Sequence, residues 1–162
     1  MIEEQMGYKG YFQICMEDIC TGEEYCGMRL AENLLTEINR EYRQAMLDGT
    51  FLSKGYNIAD LEIKYFALGD GTNPVALTDT TLQNEIIRRP ITSVSSSGTD
   101  TTSITVFPAD VANFRIREIG VFCGPAATGV ANSGILISRI NVDVTKTANI
   151  VMNVNRIDRT VI

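Results

Sequence analysis

The chain has 162 residues, 44% of them hydrophobic, enough for a single domain that buries roughly two-thirds of its unfolded surface. A formal charge of −6, with no cluster of lysine or arginine, excludes the counterion-releasing surface that nucleic-acid binding requires. No apolar run approaches the roughly 18 residues of a membrane span, and no histidine is present, which removes Ser-His-Asp, Cys-His and histidine–metal chemistry.

The reading therefore expects neither nucleic acid nor membrane as a partner, no cofactor, no metal and no enzyme activity. The acidic start MIEEQMG differs from a signal peptide, so synthesis and assembly are expected in the cytoplasm. Residues 1–48 carry ten acids against four bases, whereas the remainder carries ten of each.

Taken in chain order, YKGYFQICME over 8–17 reads as a strand, turned at Thr21-Gly22 into Glu23-Glu24-Tyr25. Cys15, Cys20, Cys26 and Cys123 include no C-x-x-C pair and are read as free thiols, buried or half-buried. From Leu30 to Leu47 the apolar positions recur at three- and four-residue steps, which predicts a long amphipathic helix of about 27 Å. Asp48-Gly49 closes it.

Beyond that point the pattern alternates. Residues 61–67, 103–106 and 150–155 read as half-buried strands, and Phe114–Cys123 and Gly134–Val144 as further ones. SSSGTDTTS at 95–103 and GPAATGVANSG at 124–134 are small and polar enough to be loops. The fold class expected is mainly β, antiparallel and sandwich-like, with an N-terminal hairpin and one long amphipathic helix, α+β overall. It is read as one domain over 1–162, with a hairpin-and-helix subregion at 1–49 and a β-sandwich subregion at 58–162.

The stretch ALGDGTNPVALTDTTLQNE, residues 67–85, concentrates turn chemistry. It lacks the Gly-Lys-Ser/Thr ending of a phosphate loop, and Asp70, Asn73 and Asp79 are too sparse for a calcium loop. Gly69 and Gly71 are read as residues that tolerate positive φ, with Pro74 extending the chain and Thr78 capping a short helical turn that ends near Glu85.

IKYFALGDGTNPVALTDTTLQNEIIRRPIT, followed by FRIREIGVFC, resembles the N-terminal attachment region of bacteriophage tail-fibre and baseplate-associated structural proteins. The resemblance covers about residues 58–123. It implies a structural virion protein: an adaptor in tail, collar or baseplate that anchors a fibre or appendage, located in the virion, with tail, neck or fibre proteins as partners. It also implies a symmetric homo-oligomer, for which a trimer is expected. The alternative is a carbohydrate-binding or carbohydrate-degrading appendage module.

NFRIREIGVF contains an anomaly. Phe114, Ile116 and Glu118 share one face of a regular strand, yet the apolar register resumes at Ile119, which a bulge near Arg117-Glu118 would explain. Glu85 and Glu118 have the look of a glycosidase carboxylate pair, but the chain has no tryptophan for sugar stacking. The preferred reading gives them a structural role, neutralised by Arg88, Arg89 or Arg117, with Gly69, Gly71 and Gly120 as turn or close-approach positions. No catalytic, cofactor-binding or metal-binding residue is assigned.

Overall fold

The computed structural model describes residues 7–27 and 34–161. Its elements are β1 (Gly7–Asp18), β2 (Glu24–Cys26), β3 (Leu34–Leu35), α1 (Glu37–Leu47), a 3₁₀ turn (Ile58–Leu61), β4 (Ile63–Gly69), β5 (Glu85–Pro90), β6 (Ser93–Ser97), β7 (Asp100–Phe107), β8 (Arg115–Cys123), β9 (Ile135–Thr145) and β10 (Ile150–Val161). Among the described residues all strand pairs are antiparallel, in two five-stranded sheets ordered β2-β1-β10-β7-β6 and β3-β9-β8-β4-β5. The antiparallel, β-rich expectation holds. The chain divides into two compact units, Met1–Asn33 with Ile91–Asn113 and Thr147–Ile162, and Leu34–Pro90 with Phe114–Lys146.

In the first unit the first and last strands lie side by side, paired from Gly7↔Val161 to Asp18↔Ile150. The alternation read in the sequence is the alternation of sheet faces: Phe12, Ile14, Phe107, Met152 and Val154 form one buried face. Arg156 and Asp158 lie on that same face and neutralise each other, the guanidinium Nε donating to both carboxylate oxygens at 3.0 Å. The last strand is paired within the chain as far as Val161, whose register partner is Gly7; Ile162 lies outside the described residues.

The predicted hairpin is present, with Gly22 at φ 72° and its N–H donating to the Asp18 carbonyl at 2.7 Å. Two expectations fail here. Cys15 and Cys26 form a disulfide, while Cys20 is free and exposed and Cys123 free and buried. The hairpin register sets Cys15 directly opposite Cys26. The neighbouring pairs Asp18/Glu23 and Ile14/Gly27 carry the backbone hydrogen bonds, so 15/26 is a non-hydrogen-bonded site, where facing Cα atoms come closest, here 4.0 Å. The stretch SSSGTDTTS is a hairpin, not a loop: β6 and β7 are joined by Gly98-Thr99, with glycine first and at φ 59°, as a two-residue type II′ turn demands.

In the second unit β8 is central and buried from Glu118 through Cys123, so its apolar residues run on instead of alternating. The helix is shorter than predicted: it spans 11 residues, about 16 Å, instead of reaching back to Leu30. Leu34-Leu35, which fit the helical spacing, form β3 against Arg139 and Ser138, and residues 30–33 lie outside the description. Thr36 fixes the boundary. Its backbone is extended, its N–H donates to the Ile137 carbonyl at 3.1 Å and its hydroxyl to the Leu136 carbonyl at 2.7 Å, so the threonine is bonded to β9 where the helix begins. Gly49, at φ 75°, closes the other end as expected.

Tyr42, Ala45 and Phe51 form a small core beside the helix, with the Tyr42 ring stacked on Tyr56 at 4.1 Å. The Tyr42 hydroxyl donates to Asp60 Oδ2 at 3.1 Å. Burial and that carboxylate push its pKa up to about 12.

Candidate functional site

The two halves of the sequence motif meet on one carboxylate. Glu118 lies in mid-β8 with no exposed surface. Its Oε1 accepts from the backbone N–H of Gly71 at 3.2 Å and of Asn84 at 2.8 Å, and its Oε2 accepts from the N–H of Gln83 at 3.0 Å. One side chain thereby ties both ends of the 70–84 loop to the sheet. The remaining charge is met by Arg139 on β9, whose Nε and Nη2 stand 3.0 and 2.9 Å from Oε2.

Arg139 extends the clasp to the middle of the loop. Its Nη1 donates to Asp79 Oδ2 at 2.8 Å and its Nη2 to the Asn73 carbonyl at 3.1 Å. Asp79 Oδ2 also accepts from Ala76 N–H at 2.9 Å, and Gln83 Oε1 from Asn73 N–H at 2.7 Å. These bonds take the place of the helical turn predicted after Thr78: a turn at Leu77-Thr78 is present, but residues 70–84 contain no helix. Side chains of the sheet and of the loop itself thus take up backbone groups that a helical turn would otherwise pair.

Gly69 and Gly71 matter for a different reason than the one predicted. Neither has a positive φ. A Cβ on either would stand 2.5 Å from Glu118 Oε1, so the carboxylate occupies the space a side chain would need. Gly120 is constrained in the same way by Leu82, whose Cδ2 would lie 2.7 Å from an added Cβ. Leu82 is itself the apolar anchor of the loop, packed with Ala67, Phe122, Ala127 and Leu136.

A second clasp lies on β5. Glu85 and Arg88 form a bidentate pair, with Arg88 Nη2 2.8 Å from Glu85 Oε2, and both side chains are buried. Arg88 Nη1 donates to the carbonyls of Thr128 and Ser133 at 3.1 and 2.9 Å, and Glu85 Oε2 accepts from Asn132 N–H at 2.8 Å. This pair holds the 124–134 loop, which the sequence identified as a loop. The Arg88 guanidinium also sits 4.1 Å from the centre of the Phe122 ring.

Of the predicted partners, then, Arg88 neutralises Glu85, but Arg89 and Arg117 neutralise neither carboxylate, and the partner of Glu118 is Arg139, which sequence reasoning missed. The register does shift near Arg117 as expected. Ile116 faces Val144 and Glu118 faces Asn141, so the extra residue belongs to β9, where Val142 and Asp143 stand opposite Arg117.

Beside the clasp, Thr72, Arg115, Arg117, Asn141, Val142 and Asp143 line a shallow cleft of about 230 Å³. That is smaller than the roughly 300–1,000 Å³ of typical ligand pockets. Arg115 and Asp143 are paired across it by two 2.7 Å bonds, which hold the Asp143 carboxyl below its usual range. Among the described residues no cluster of three or more metal-ligating side chains occurs. Comparison with protein-family models, curated proteins and solved structures finds no match to this chain.

Proposed function

We propose that the chain is a structural virion protein of a tailed bacteriophage, an adaptor in tail, collar or baseplate that anchors a fibre or appendage. One observation carries this reading. The two stretches that resemble fibre-attachment proteins, separated by 47 residues at the Gly71–Glu118 bond, converge on a single buried carboxylate that fixes a loop. The motif's charged residues are thus used internally, to make a rigid surface loop of the kind an attachment protein presents. In this reading the chain is not an enzyme, takes no cofactor, and associates with itself and with neighbouring tail, neck or fibre proteins.

The test is location. Antibody against the purified chain, applied to virions from the source genome and viewed by electron microscopy, should mark the tail or neck. Purified particles that contain no copy of the chain would contradict the proposal. Cleavage or tight binding of host surface glycan would favour a carbohydrate-active module.

A further inference from the structure

We infer that β6 is a self-pairing edge, through which two copies of this chain join antiparallel about a twofold axis at Ser95. The inference deepens the homo-oligomer part of the proposed function and does not depend on the virion part.

Among the described residues each sheet ends in two outer strands, and three of those four are blunted in ways that discourage pairing with another chain. β3 has two residues, and β2 has three, Glu24 among them. β5 is interrupted by a register shift opposite Leu68/Gly69, carries Arg88 and Arg89, and ends in Pro90. β6 has none of these devices. Its five residues are all exposed, its register with β7 is unbroken from Ser93↔Ile104 to Ser97↔Asp100, and residues 90–99 contain no charged side chain.

The hydrogen-bonding groups left open can be assigned. A two-residue turn makes Ser97/Asp100 the closing hydrogen-bonded pair, and bonded and non-bonded pairs then alternate. Ser93, Ser95 and Ser97 therefore direct N–H and C=O toward β7, whereas Val94 and Ser96 direct theirs to the open edge. With Ser95 on the axis, Val94 of each copy faces Ser96 of the other, and four N–H···O=C bonds form.

The occupant is a second copy on grounds of charge and shape. The chain carries −6 overall, and this uncharged strand is a place where two copies meet without opposing like charges. Small side chains on both sides of Ser95 make the strand self-complementary, as a twofold interface requires. The threefold ring implied by the resemblance would need a different surface.

Sedimentation of the full chain at micromolar concentrations tests this. The expected species is a dimer. Ser96→Pro removes an outward N–H while sparing the β7 ladder, and should give monomer. Ser95→Lys or Ser95→Glu sets like charges against each other on the axis and should weaken the dimer roughly tenfold, while an equal mixture of the two variants should restore it. Circular dichroism checks folding, and the charge-swap mixture carries the test if the proline variant fails to fold. A wild-type monomer, a trimer, or a dimer indifferent to all three substitutions would overturn the inference. Any of those results would leave the location test of the adaptor reading intact.

Discussion

The 70–84 loop of the second unit and the 18–24 turn of the first are both ordered, by opposite means. The loop is held by buried charge: Glu118 collects three backbone N–H groups, and Arg139 bridges that carboxylate to Asp79. The turn is short, sits at a sheet edge, and is fastened by a covalent bond between exposed or half-buried cysteines. A buried ionic clasp fails when any partner is lost, because the remaining charge has no access to water. A disulfide acts largely on the unfolded ensemble, so its removal leaves native packing in place.

That contrast predicts a graded set of effects. Glu118→Gln should be the most damaging, at about 3–5 kcal/mol in urea unfolding, since it leaves Arg139 without its buried counter-charge and turns an amide N–H toward backbone donors. A variant of near wild-type stability would show that the clasp is not holding the loop. Reduction, or Cys26→Ser, should lower stability by at most about 3 kcal/mol, the chain-entropy value for a loop of this size. Exchange protection should be lost locally in β2. A global loss as large as that of Glu118→Gln would erase the distinction between the two regions.

Smaller effects sharpen it further. Tyr42 keeps its proton up to about pH 12 in the fold, because of burial and then Asp60, but loses it near 10 when unfolded. Between those values the native state binds more protons, so stability should fall as pH rises through that window and be unaffected below it. Tyrosinate absorbance during alkaline titration, compared with Tyr42→Phe, measures this. Arg115→Ala breaks an exposed pair that solvent screens, and should have the smallest effect on stability of the set, close to none in urea unfolding. A larger loss would mean that the cleft it lines is structural.

Among the legible parts of the fold are strands with one buried face. β7 and β10 alternate because their sheet has an inner face, and the hairpin and loop ends carry the glycines their backbone conformations require. β6 stayed hidden because serine and threonine give no alternation. Leu34-Leu35 were misassigned because their spacing fits a helix, and only pairing with β9, about a hundred residues later, makes them a strand. The site was half legible. Glu85–Arg88 is a local pair, visible at a spacing of three residues, whereas Glu118 and Arg139 come together through strand register. The disulfide was missed on the same ground, since hairpin register decides whether two cysteines face each other.

The central claim is that Glu118 orders the 70–84 loop, and amide hydrogen exchange reads it directly at the three bonded groups. In the native protein the N–H groups of Gly71, Gln83 and Asn84 should exchange as slowly as neighbouring β8 amides, and Glu118→Gln should expose all three together, well before the strand opens. Rapid exchange of these amides in the unmodified chain, at rates typical of solvated loops, would contradict the account.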